Sequence, residues 1–296
     1  MESEKCRALL CAIDKGSITS AAEAMGYTIS GISRMMASLE NEIGFPLLRR
    51  GREGVTPTRE CLRLLPAMRE LVAQAEQCRQ TAGELRGLVT GTIAIAAFSS
   101  VAAHWLPNMI CRFQKDFPNI DFEVLMGDYP EIEQWVLQGR ADYGFLHLPT
   151  RADLETVCLE EDELMVVLPP EHPLTQLEQV PVEALREEPF ILLDKAGNRD
   201  RDIMQVFERS GVVPQVRFST LDDYAVMSMV EHGLGVSILP QLILKRIPYH
   251  ITLRPLAQPA YRKIGLAMRA GDTLSPAAKR FLEYLPYRDP DALFAK

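Results

Sequence analysis

The chain has 296 residues, 47% of them apolar and 24% charged, with a formal charge of −8. The length points to two domains, or to one domain split by an insertion. The composition excludes disordered, collagen-like and mini-protein classes, and there is no run of about 18 apolar residues for a membrane helix. The acidic start, Met1-Glu2-Ser3-Glu4-Lys5, has no apolar signal core, so a cytoplasmic location is expected.

Residues 3–15 read as a helix ended by Gly16, with Leu9, Leu10 and Ile13 on one face. Ser17 to Met25 reads as a second, short helix. Thr19 or Ser20 can cap it, and Ser20 with Glu23 matches a capping box. Gly26-Tyr27 turns the chain, and Thr28 caps a third helix running to about Ile43. Two helices joined by a short glycine-containing turn is the helix-turn-helix pattern. In the third helix Ile32, Met35, Met36, Leu39 and Ile43 form the inward stripe. Ser30, Gly31, Ser33, Arg34, Ala37 and Ser38 lie off it. Small residues let a helix backbone approach a DNA groove, and Arg34 can reach a base edge or a phosphate. A plain solvated helix face is the alternative reading.

The charge is uneven. Residues 1–86 hold 12 Lys and Arg against 11 Asp and Glu, which leaves −9 on the remainder. Within 45–59, Arg49, Arg50, Arg52 and Arg59 meet only Glu53, a net of +3. A phosphate backbone senses such a local focus, not the mean charge. Gly51 and Gly54 suit a turn between two short extended stretches, so an arginine-bearing wing is expected here. Thr56 and Thr58 flank Pro57; they donate to phosphates or cap the next helix.

Residues 58–86 read as one long helix with Pro66 inside it. Leu64, Leu71, Cys78 and Leu85 repeat every seven positions. Met68, Ala75 and Ala82 fill the alternate seam. An a/d repeat over three heptads argues for a partner helix and a dimer; packing on the chain's own C-terminal part is the alternative. Gly87 to Gly91 is the linker. Strands at 92–98, 120–126, 143–147, 163–168, 190–193, 216–218 and 236–239 then alternate with helices at 104–116, 129–138, near 200–210 and at 221–232. That pattern predicts an α/β part with mainly parallel sheet, in two sublobes with a cleft. The six cysteines show no metal-ligand spacing and are expected as buried, reduced thiols. No metal and no cofactor is expected.

These stretches together resemble the LysR-type transcriptional regulators. The likeness rests on Gly16 to Ala22, Ile32-Ser33-Arg34, Leu39 to Gly44, Pro46 to Arg50 and Thr56-Pro57-Thr58. It continues through Gly91-Thr92-Ile93, Phe117 to Ile120, Leu137 to Asp142, Pro170 to Leu174 and Val230 to Pro240, and covers the chain to about residue 285. The resemblance implies a winged helix-turn-helix over 1–58, a dimerising linker helix over 59–90 and an effector domain over 91–296 like periplasmic solute-binding proteins. It implies that lobe I is 91–161 plus 266–296, with lobe II inserted at 162–265, and that the assembly is a tetramer. Ile29, Ser30 and Gly31 stand where the family often has a Gln-Pro-Ala type run, and Ala37 and Ser38 where basic residues are common. Fewer phosphate contacts and a shallower salt dependence are therefore expected.

The expected function is a DNA-binding regulator answering to a small molecule, with no catalytic residues. The alternatives are an effector-independent DNA binder, and a cytosolic binding protein or enzyme, for which no nucleophile elbow, P-loop, dinucleotide or zinc motif is present. The expected DNA contacts are Thr28, Ser30, Gly31, Ser33, Arg34, Arg49, Arg50, Arg52, Thr56 and Thr58. Ligand sites in open α/β sheets lie beyond the strand ends. Ser99 and Ser100 follow the first strand, His147 ends another, and Thr220 precedes the helix at 221–232. Asp194, Asn198 and Arg199 follow a strand of the second lobe, Arg199 being the one cation with a reason to meet a carboxylate. Helix N-termini at Ser99 and at Thr220 favour a small anion, most simply a carboxylate.

Overall fold

Helices α1 (Ser3–Asp14), α2 (Ile18–Met25) and α3 (Ile29–Ile43) open the chain. The computed structural model describes residues 2–51, 54–85, 91–150, 153–195, 198–199, 201–271 and 274–289. Arg52 and the linker residues 86–90 lie outside these, as do the side chains of Arg50, Leu85, Asp194, Asn198 and Arg199. Gly16 and Gly26 adopt left-handed φ where α1 and α2 end, a conformation that costs glycine least. The cap of α2 differs from the expected one. Ser17 takes it, accepting from Ser20 N, because Ser17 is the last extended residue and Ser20 already lies inside the helix. Thr28 caps α3 as expected, accepting from Gly31 N at 3.1 Å. The inward stripe of α3 is partly as expected: Ile32, Met36 and Leu39 are buried, while Met35 and Ile43 pack at the edge of the same core.

Strands β1 (Leu48–Gly51) and β2 (Gly54–Pro57) pair antiparallel, with Arg49 opposite Thr56. The wing is fastened at its turn. Val55 N donates to Gly16 O at 2.8 Å, and a Cβ on Gly54 would collide with that same carbonyl oxygen. Glu40 Oε1 fastens the other end, accepting from Leu47 N at 2.7 Å and Leu48 N at 3.2 Å.

The long helix α4 (Arg59–Leu85) carries Pro66 on an exposed position. Its first half belongs to the N-terminal core: Cys61, Leu65 and Met68 are buried there with Leu9 and Ala12 of α1. An ion pair from buried Arg69 Nη2 to exposed Asp14 Oδ1, at 2.9 Å, ties the two helices together. This corrects the expected seam at Met68, which is 1% exposed and already filled by the chain's own domain. A heptad marks an apolar stripe but does not say which neighbour covers it.

Lobe I contains β3 (Gly91–Ala97), α5 (Ser99–His104), α6 (Leu106–Asp116), β4 (Ile120–Met126), α7 (Tyr129–Leu137) and β5 (Tyr143–His147). The helix expected at 104–116 is α6, which starts two residues later with Pro107 in its first turn; the short α5 before it, ending at Trp105, was not expected. Strand β6 (Leu154–Leu168) begins far before the expected residue 163. Its first half is studded with Glu155, Glu160 and Glu161, so it lacks the apolar run by which a strand is read. Lobe II adds β7 (Pro189–Lys195), β8 (Asn198–Arg199), α8 (Arg201–Arg209), β9 (Gln215–Thr220), α9 (Asp223–Glu231), β10 (Ser237–Pro240) and β11 (Thr252–Pro255). The chain returns through β12 (Tyr261–Arg269) and α10 (Pro276–Leu282).

The larger sheet runs β10-β6-β12-β5-β3-β4, with β11 also on β6; the smaller runs β8-β7-β9. Strand β3 is parallel to β4 and β5, and β7 to β9. Strand β12 is antiparallel to both β5 and β6, so the sheet is mixed rather than mainly parallel. Strand β6 pairs with β12 as far as Glu163 and with β10 and β11 from Leu164 onward. It therefore crosses from lobe to lobe near residue 163. On the return, Ile264 and Gly265 already pair with His147 and Leu146 of lobe I.

The cysteines depart from expectation. Cys6 and Cys61 are buried and Cys11 half-buried, but Cys78, Cys111 and Cys158 are exposed. Among the described residues, no helix is long and apolar enough to cross a membrane.

Candidate nucleic-acid interface and effector cleft

The outward face of α3 begins with Thr28, Ile29 and Ser30, all exposed, and continues with exposed Arg34; Gly31 and Ser33 are half-buried. Thr28 Oγ1 lies 3.1 Å from Ser30 Oγ, so these two hydroxyls sit side by side at the helix start. Ile29 is 53% exposed, an apolar group among polar ones that sequence reasoning did not place in the interface. On the wing, Arg49 and Thr56 are both exposed and directly cross-strand, hence on one face of the hairpin. Thr58 is different. It is 6% exposed. Its hydroxyl donates to Pro46 O at 3.0 Å and accepts from Cys61 N at 3.1 Å. It is a helix cap, not a phosphate contact, which settles the alternative left open by the sequence. Thr56 is exposed and makes no such cap. Arg50 keeps its place on β1, though its side chain lies outside the described residues, as Arg52 does altogether.

In lobe I the parallel strands deliver their next residues to one edge. Ser99 and Ser100 follow β3, Tyr129 follows β4, and His147 ends β5. In lobe II, β7 leads into β8 and Asp202 of α8, and β9 ends at Thr220. The edges meet: His147 Nε2 lies 2.9 Å from Asp202 Oδ2.

Behind this contact is a buried group that the sequence did not signal. Arg262 of β12 and Asp162 of β6 are 7% and 4% exposed in their side chains. Arg262 Nε and Nη2 both donate to Asp162 Oδ2, at 2.9 and 2.7 Å, while Asp162 Oδ1 accepts from Leu242 N at 2.9 Å. Arg262 Nη2 also donates to Ser100 Oγ at 2.8 Å, and Nη1 to Tyr129 Oη at 3.3 Å. The guanidinium stands 4.9 Å from the Phe98 ring centroid, adding a cation–π contact. Tyr129 in turn packs on His147, ring centroids 5.8 Å apart. A continuous chain of contacts therefore runs from β6 and β12 through Arg262 and Tyr129 to His147, with Ser100 as a side branch.

The expected helix-end anion sites are not both present. Asp222 caps α9, accepting from Tyr224 N at 2.7 Å and Ala225 N at 3.1 Å, so a carboxylate already fills that helix start. Thr220 Oγ1 only accepts from Asp222 N at 3.4 Å. Ser100 faces Arg262 inside the hinge, whereas Ser99 is half-buried at the first position of α5. Asn198 and Arg199 lie on β8, opposite Lys195 and Asp194, with their side chains outside the described residues. No contiguous motif marks Asp162 and Arg262, which are 100 positions apart. The one local hint is Arg262 on an inward position of β12.

Two outer strands expose apolar groups. On β4 these are Val124 and Met126; on β9 they are Val216 and Phe218. On α4, Leu64, Leu71 and Ala75 are half-buried and Cys78 is exposed.

Residues 3–62 match the family described as bacterial regulatory helix-turn-helix protein, lysR family, and residues 86–288 match the LysR substrate binding domain. The probable HTH-type transcriptional regulator LrrA of Synechococcus elongatus is 30% identical over 292 residues, covering 98% of each chain. The HTH-type transcriptional regulator YvbU of Bacillus subtilis is 29% identical over 273 residues, 91% of this chain and 92% of its own. A full-length point variant of OxyR from Pseudomonas aeruginosa has the same fold, with a TM-score of 0.77 at 21% identity over 97% of this chain and 94% of its own. So has CbnR in complex with its target DNA, with a TM-score of 0.68 at 20% identity over 97% and 100%. The chain belongs to the LysR family of helix-turn-helix transcriptional regulators.

Proposed function

We propose that this regulator reads its operator with Thr28, Ile29, Ser30 and Arg34 of α3 and with Arg49, Arg50 and Thr56 of the wing. Arg34 supplies base-edge or phosphate contact, Ile29 an apolar contact such as a thymine methyl, and the hydroxyls and wing arginines the backbone contacts. Operator binding takes place in the cytoplasm by an oligomer. The half-exposed stripe Leu64, Leu71, Ala75 and Cys78 on α4, together with the apolar groups on β4 and β9, forms its contact faces. Dimers place two reading helices on two half-sites, which sets the spacing of the operator.

The effector is a small molecule with a carboxylate or similar anionic group, taken between the lobes. Ser99 and His147 meet it from lobe I, and Thr220 with the β8 segment Asn198–Arg199 from lobe II. The observation that carries this reading is the chain of contacts from Arg262 and Asp162 through Tyr129 to His147. It ties the lip of the cleft to the two strands about which the lobes move. A ligand that changes the lip then changes the hinge, and with it the spacing of the paired reading helices. Footprinting of operator fragments with the purified full chain, with and without a panel of small acids and their amides, tests it. The expected result is an acid that alters the protected region and raises Tm by mass action. A footprint that responds only to the amides overturns the anionic class.

A further inference from the structure

The contact between His147 and Asp202 joins two bodies, not two parts of one. His147 ends β5 in lobe I, and Asp202 lies in the first turn of α8 in lobe II. Both are largely shielded, at 19% and 16% side-chain exposure. The Tyr129 ring, itself held by Arg262, packs on the imidazole. Chemically, the Asp202 side chain is an acetate on a tether. It sits against His147, in the place that the effector reading above gives to a ligand carboxylate.

We propose that Asp202 is a built-in competitor that occupies the anion seat at His147 and latches the lobes until a ligand carboxylate replaces it. This rests on the effector reading above and deepens it. A tethered group competes at a high effective concentration, on the order of millimolar or more. A simple acid therefore cannot displace it, and only a ligand with further groups for Ser99 or Thr220 can. Asp202 thus sets specificity: it rejects bare carboxylates and makes release of α8 conditional on a ligand that spans both lobes.

The test empties the seat and offers a free anion. In the full chain, Asp202→Ala removes the carboxylate and leaves room for formate. Formate, at ionic strength matched with chloride, is expected to raise the Tm of Asp202→Ala saturably, by roughly 2–5 °C. It should do neither in the wild type, where the seat is filled, nor in His147→Gln/Asp202→Ala, where it is dismantled. Hydrogen exchange read on peptides from β5 and the start of α8 is expected to quicken in Asp202→Ala and slow again with formate. Asp202→Asn keeps the shape of the side chain and guards against a folding defect; it should loosen the same peptides without answering to formate. An equal formate response in wild type and Asp202→Ala, or a response that survives loss of His147, overturns the proposal. The effector reading falls separately, if no small molecule changes the wild-type footprint.

Discussion

Arg262 Nη2 and Asp162 Oδ2 lie 2.7 Å apart, on the two strands that carry the chain between the lobes. The pair sits where β6 passes from one set of partners to the other, and it ties β12 to that point. Removing one member leaves a buried charge alone, which costs about 3–5 kcal/mol. Asp162→Ala also leaves Leu242 N without its acceptor. Arg262→Met/Asp162→Leu removes both charges and should lose less than either single variant. Thermal melts of the four proteins check this; a double variant as unstable as the two singles summed would remove the pairing argument.

Arg34→Ala should leave the melting curve unchanged and weaken specific DNA binding by about 1–3 kcal/mol. The residue is exposed on α3. Fluorescence anisotropy on operator DNA at fixed salt reads the effect. Unchanged affinity would move the reading surface elsewhere.

Thr56→Ala and Thr58→Ala should separate cleanly. Thr58→Ala loses the cap on α4 and the bond to Pro46, so it should lower stability by about 1–2 kcal/mol while the folded fraction binds DNA normally. Thr56→Ala should leave stability alone and weaken DNA binding with the salt slope unchanged, because a neutral hydroxyl releases no counterion. Melts and salt titrations on both variants distinguish a cap from a phosphate contact.

Leu71→Glu should weaken the dimer, because it places a charge on the half-exposed stripe of α4. Sedimentation velocity reads the shift toward monomer, and DNA affinity should fall with it. Met68→Glu should instead unfold the N-terminal domain, since that side chain is buried beneath α1.

The thiols should fall into two groups. Burial, helped by Glu40, pushes the Cys61 thiol up to about 11, and burial also raises Cys6. Only the thiolate is alkylated. At pH 8 iodoacetamide should label exposed Cys111 and Cys158, and spare Cys6 and Cys61 until the chain unfolds. Peptide mass spectrometry over time reads the order.

Much of the N-terminal domain is local chemistry and so was legible. Gly16, Gly26 and Gly44 stop helices, Thr28 caps one, and a 3.6-residue period puts Ile32, Met36 and Leu39 inward. Each of these acts within about one turn of the chain. The strand at 120–126, where Ile120, Phe122 and Val124 alternate with Asp121 and Glu123, and the short strand at 143–147 were legible for the same reason. The candidate cleft was legible only in outline, because strand ends can be counted but not aimed.

The sequence by itself determined the helix-turn-helix, the basic wing, the long helix and the alternation of strands and helices, since these follow from spacing, capping and turn residues. The tertiary structure alone decided what those residues face. Heptad spacing marked Met68 as a seam residue, and packing buried it in its own domain. Thr58 had a hydroxyl suited to phosphate, and Pro46 O and Cys61 N claimed it. Asp162 with Arg262, and His147 with Asp202, come together across long separations in the chain. An ion pair depends on where two charges end up in space and on how much water is left around them. Neither quantity is written in any local stretch of sequence.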